Sequence, residues 1–144
     1  MPNQGFGTMS KLLNVLLNKI ESDFDENAAK LTLILAQTFY CEKSGEKIFL
    51  HASMAGHSVW QKESMWLKII EDGILKEMSN YAQFCSDETS EMHKERMEAI
   101  LVSQLSSYVH IMKTFEVSLE FINSVARSLV DKYKIDLNLT EFIG

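Results

Sequence analysis

From Ser10 onward the apolar residues Leu12, Leu13, Leu16, Leu17 and Ile20 recur at intervals of three and four. That spacing predicts a helix with one buried face, which Ser10 or Thr8 is placed to cap. The acidic stretch ESDFDEN, Glu21 to Asn27, ends it and starts a second helix. Asp25 can cap that helix, while Glu26 lies against the positive end of its dipole. The second helix carries Ala28, Leu31, Leu35 and Phe39, is widened by Leu33 and Ile34, and is expected to run to about Cys41. Apolar residues around so much of its circumference imply burial on more than one side.

EKSGEK, Glu42 to Lys47, reads as a polar loop with a glycine at its centre. The following IFLHASM suits either a short strand or two helical turns. The helix is preferred because no second strand stands out to pair with it, and Gly56 would close it. Ser58 is placed to cap a long helix in which Val59, Trp60, Met65, Trp66, Ile69, Ile70, Ile74 and Met78 keep a helical period to about Asn80. YAQFCSDETS is a less regular connection, with Tyr81 and Phe84 expected to fold back on the core. Another helix begins at Asp87, polar over ETSEMHKERME and then apolar at Met97, Ile100, Leu101, Leu105, Tyr108, Ile111 and Met112. A break is expected near Lys113 and Thr114. The period resumes through Phe115, Leu119, Ile122, Ala126, Leu129 and Tyr133, and Leu137, Leu139, Phe142 and Ile143 form a short docking segment. The expected fold is all-α, a single compact bundle of five or six helices without internal repeats, over residues 10–144. Residues 1–9 are read as a flexible end or an addition ahead of the domain.

Composition narrows the functional classes. A chain of 144 residues, 46% hydrophobic, suits one domain that buries roughly 70% of its unfolded surface without a staple. Its two cysteines, Cys41 and Cys85, lie far apart in unrelated contexts, as expected of buried thiols in a reducing compartment. The net charge is -6 and the basic residues are scattered singly, which argues against nucleic acid and against a polybasic membrane-binding face. No apolar run has the length of a membrane span, and MPNQGFGTMSK lacks the regions of a signal peptide. The chain reads as cytoplasmic.

Candidate chemistry is sparse. His51 and His57 flank Gly56 with neither CxxC nor HExxH to complete a zinc site. They are better read as one histidine packed beside Trp60 or bonded to a helix terminus, and one near the surface. DFDEN starts like a calcium loop, but Ala28 and Ile34 occupy the positions of the required glycine and carboxylate. Cys41 and Cys85 sit in apolar contexts unsuited to a reactive thiol, His93 lies on a charged helical face, and His110 lies at a core edge. No phosphate loop, nucleophile elbow or carboxylate dyad is present. The expectation is a protein that is not an enzyme, with no catalytic residues, metal ligands or cofactors. Trp60 and Trp66 are six residues apart, about 240° around one helix, so a single neighbour can hardly bury both. Trp66 shares its phase with Ile69 and Ile70 and is taken as core. Trp60 is taken as the interface candidate, and covering the short preceding helix is its alternative. With Glu91, His93 and Phe142 it makes up the expected partner-binding set.

LAQTFY (Leu35 to Tyr40), IFLH (Ile48 to His51), VWQ (Val59 to Gln61) with Trp66 beyond, and QLSSYVHIMKTF (Gln104 to Phe115) together resemble the SBF2-type helical domain. That domain occurs in DENN-containing myotubularin-related pseudophosphatases and in a related small neuronal protein. The resemblance spans most of Leu33 to Ile143 and rests on apolar and aromatic positions. It implies a helical module associated with Rab-type exchange factors and membrane traffic, without catalytic residues and without the DENN part in which exchange activity resides. The functional expectation is a protein-interaction or regulatory module whose partner is a protein, by resemblance a Rab-type GTPase or its regulator. Its alternatives are a structural oligomeriser, a homodimer paired through the long helices after Asp87, and a small metal protein or enzyme.

Overall fold

The computed structural model describes residues 3–82 and 90–143. Phe84, Cys85 and the expected helix start at Asp87 lie outside the described residues. Among the described residues the fold is all-α apart from one small hairpin. Its elements are α1 (Asn3–Asp23), α2 (Glu26–Thr38), β1 (Tyr40–Lys43), β2 (Glu46–Phe49), α3 (His51–Met54), a 3₁₀ turn (Ser58–Gln61), α4 (Glu63–Ala82), α5 (Ser90–Thr114), α6 (Leu119–Tyr133) and α7 (Leu139–Ile143). Helix α1 starts at Asn3, ahead of the expected Ser10, so Gly5, Gly7 and Thr8 are helical. Among the described residues the contacts group into two compact units. One holds the chain up to Met65 together with Thr114–Val117, and the other holds Trp66–Lys113 together with the chain from Ser118 on.

In the first unit α1 buries Leu13, Leu17 and Ile20. Phe24 takes a left-handed backbone (φ 52°) at the corner, and the Asp25 carboxylate accepts the Ala28 N–H at 3.1 Å, the expected cap of α2. Helix α2 corrects the sequence reading in one respect. Its inward face is Ala29, Thr32, Leu33 and Ala36, so mostly small residues face the core and the larger Leu31, Ile34 and Leu35 do not. The Thr32 hydroxyl is satisfied within its own helix, donating to the Ala28 carbonyl at 2.7 Å.

The hairpin is the second correction. Helix α2 ends at Thr38, Phe39 turns extended, and Tyr40–Lys43 supplies the strand that IFLH needs as a partner. Ser44 and Gly45, with φ of 54° and 81°, form the two-residue connection, and positive φ at both centres marks a type I′ turn. In the antiparallel register Glu42 faces Lys47 and Lys43 faces Glu46, so each charge meets its opposite. Tyr40 faces Phe49, their ring centroids 5.3 Å apart. IFLHASM is therefore strand first and helix only from His51.

In the second unit α4 buries Trp66, Ile69, Ile70 and Ile74, and α5 buries Ile100, Leu101, Leu105 and Tyr108. Gly73 of α4 is buried, and a Cβ built there would come 2.5 Å from the Gln104 Oε1 of α5, so that side chain lies where any other residue's Cβ would be. The break expected near Lys113 and Thr114 is present, with α5 ending at Thr114, and Ser118 caps α6 by accepting the Phe121 N–H at 3.2 Å. Helix α6 closes at Lys134 (φ 54°), with the Ile135 N–H bonded to the Val130 carbonyl at 3.0 Å. The C-terminal α7 buries Leu139 and Ile143, and the Lys113 ammonium donates to the Ile143 carbonyl at 2.9 Å.

Candidate functional site

The residues from His51 to Lys62 form a structural corner of the first unit. His57, not Ser58, caps the 3₁₀ turn: its Nδ1 accepts the Val59 N–H at 3.0 Å, so that nitrogen carries no proton. Its Nε2 is then the N–H, and it donates to the Asn18 Oδ1 at 2.7 Å. Both ring nitrogens are engaged, which leaves no lone pair for a metal. The Ser58 hydroxyl instead donates to the Glu21 carboxylate at 2.8 Å, and the Lys62 ammonium lies 3.8 Å from the same group. His51 stacks on Phe49 at 5.9 Å between centroids and lies 6.0 Å from Phe115, as an aromatic packing residue.

Trp60 is 0% exposed and cannot present its indole to a partner, which corrects the expectation made for it. Its Nε1–H donates to the Met54 carbonyl at 3.0 Å, and its ring meets Phe115 edge-on at 5.1 Å. Trp60 and Trp66 do not share one continuous helix. Lys62 is extended between the 3₁₀ turn and α4, so the two indoles belong to different elements and both are buried.

The other expected partner residues lie in the second unit. Glu91 and His93 are exposed on the first turns of α5, but residues two apart point roughly 200° away from each other and make no joint patch. Phe142 is half-buried in α7. Nearby on α4 and α5, a groove of about 180 Å³ is lined by Glu77, Tyr81, Arg96, Ile100, Ser103 and Gln104, and the Arg96 guanidinium lies 4.6 Å over the Tyr81 ring. Its volume falls short of the ~300 Å³ at which small-molecule sites begin. Among the described residues no three His, Cys, Asp or Glu side chains gather to hold a metal ion. No helix of the described residues is long and apolar enough to cross a membrane.

Titration in the second unit is shaped by burial and one ion pair. Burial, and secondly the nearby Asp72 charge, raise the Tyr108 hydroxyl above its ordinary 10.0. Burial and then Glu71 do the same for Tyr133. The Lys132 ammonium donates to the Glu71 carboxylate at 2.9 Å, and that hydrogen bond, followed by the carboxylate's charge, raises the ammonium's pKa.

The feature missed in the sequence is a pair of exposed apolar rows, one on each of two helices of the first unit. Leu31, Ile34 and Leu35 of α2 are 62%, 53% and 39% exposed, and Leu12, Val15 and Leu16 of α1 are exposed as well. Each set has the i, i+3, i+4 spacing that places its members side by side on a helix. The available signal was the second i, i+3, i+4 set on α2, Ala29, Thr32 and Leu33, extended by Ala36. Only one of the two faces could be turned inward, and small residues allow the closer approach. Comparison of the chain with family models, with curated proteins and with solved structures found no match.

Proposed function

We propose that the chain is a non-catalytic protein-interaction module and that a protein partner binds the outer face of α2. The observation that supports it is the row of exposed aliphatic side chains Leu31, Ile34 and Leu35, continued by the partly exposed Phe39. Exposed leucines scattered singly are ordinary, whereas an uninterrupted aliphatic row on one helical face is what helix-mediated recognition uses. The buried Cys41 thiol suits a reducing compartment, and we place the module in the cytoplasm on that ground. The likeness of Leu35 to Tyr40 and Gln104 to Phe115 to the SBF2-type domain extends the proposal to regulation of Rab-type GTPases in membrane traffic.

A photo-crosslinking residue placed at Ile34 in the full chain in cells tests the reading, with one at Glu91 as the exposed control. A saturable protein adduct formed at position 34 and not at 91 is expected. A Rab-type GTPase or regulator in that adduct would carry the traffic reading, and absence of any adduct at 34 would remove the module reading.

A further inference from the structure

We infer that α1 is a releasable strap, which opens as one unit about Phe24 while α2, the hairpin and the corner from His51 to Lys62 stay folded. Much of its hold on the first unit is polar. Ser10, Asn14, Asn18 and Glu21 recur at intervals of four, four and three, which sets them in one row along the helix. That row meets the corner in chain order. The Ser10 hydroxyl donates to the Ser53 hydroxyl at 2.6 Å, and the Asn14 amide donates to the Ser53 carbonyl at 3.4 Å. One turn on, Asn18 accepts the His57 N–H, and beyond it Glu21 accepts the Ser58 hydroxyl and faces Lys62. These hydrogen bonds lie at exposed positions, where water replaces a lost partner at little cost.

The apolar hold is thin for the helix's length. Among the described side chains of the 21-residue α1, Leu13, Leu17 and Ile20 are buried, whereas the 13-residue α2 buries Ala29, Thr32, Leu33 and Ala36. An element with few buried apolar side chains and many exposed hydrogen bonds opens at a lower free energy than the whole fold. The turn between the two helices permits that opening. With Phe24 left-handed, the Asp25 N–H closes α1 on the Ile20 carbonyl at 3.1 Å, while the Asp25 carboxylate caps α2 separately. Rotation at Phe24 breaks the first bond, leaves the cap of α2 in place and returns Phe24 to the negative φ that a residue with a Cβ prefers. Release also frees Leu13, Leu17 and Ile20 beside the outward Leu12, Val15 and Leu16, so the open form presents apolar surface that the closed form hides.

Native-state hydrogen exchange of the full chain, read residue by residue by NMR, tests this. The amides of Leu17 to Ser22 should exchange as a group, with protection at least about tenfold below that of Leu33 and Ala36. A disulfide pin supplies the second measurement. Ser10→Cys with Ser53→Cys, in a background of Cys41→Ala and Cys85→Ser, joins positions whose hydroxyls already touch. Oxidation should bring the α1 group up to the protection of α2, and reduction should restore the difference. Equal protection of α1 and α2 in the unmodified chain overturns the inference. So does a pin that raises both helices by the same factor, since α1 would then open only with the whole fold.

Discussion

Trp60 shows what a residue's identity conveys and what only its neighbours decide. A large amphipathic side chain at an element's start suits an interface or a core rim equally well. Here the Met54 carbonyl takes its N–H and Phe115 takes its edge, and both contacts depend on chain direction changes that no periodicity reveals. Trp60→Ala is expected to cost ~3–5 kcal/mol in urea unfolding, the range for emptying an aromatic core site. Trp60→Phe should cost less, because the contact with Phe115 survives while the N–H bond is lost. A loss below ~0.5 kcal/mol for the alanine variant, the size of a surface substitution, would return this indole to the surface. His57 was partly legible in the same sense. Its position allows a histidine bonded to a helix terminus, while Ser58, the better cap by residue type, gives its hydroxyl to Glu21.

Elements with a strong period were legible, and those that depend on pairing were not. The apolar rows that announce α4, α5 and α6 persist for several turns, so their existence is insensitive to an error at either end. The hairpin has four residues per strand, and its first strand reads as the tail of α2 because Phe39, Tyr40 and Cys41 continue an apolar run. Its sequence mark is the charge order of EKSGEK, which reads as a loop until folded about Ser44 and Gly45, where every glutamate then faces a lysine. The turn can be improved. Position 44 needs positive φ, which asparagine tolerates better than serine, and Asn-Gly is the favoured type I′ pair. Ser44→Asn should therefore raise the urea midpoint by a few tenths of a kcal/mol in equivalent stability, whereas Gly45→Val should lower it by ~1 kcal/mol or more. Equal midpoints for all three proteins would mean that the hairpin is not part of the cooperative fold.

At the scale of the molecule, three groups predict how stability responds to alkali. Tyr108 and Tyr133 have pKa values raised above 10.0 by burial, and Lys132 is raised above 10.5 by Glu71. For each, the folded state holds its proton more tightly than the unfolded chain does. Their contribution is complete below the unfolded pKa values and is lost as pH rises through the folded ones. Stability measured in urea should hold to about pH 9 and then fall steeply above about pH 10, where the unfolded chain releases these protons first. Tyr108→Phe should make that decline shallower. Parallel curves for the two proteins would show that Tyr108 ionises equally well in both states.

The distribution of apolar surface is the other molecular property, and α2 tests it on adjacent residues. Leu33 is buried and Ile34 is half exposed, yet both are large aliphatics that composition counts alike. Leu33→Ala should cost ~2–5 kcal/mol, because it opens a cavity on the face where small residues hold α2 close to its neighbours. Ile34→Gln makes a position polar at nearly constant volume on a face that this chain does not cover, so the expected change is within ~0.5 kcal/mol. If both substitutions cost several kcal/mol in the monomer, α2 is packed on two sides within its own chain and the outward row is not available to any partner.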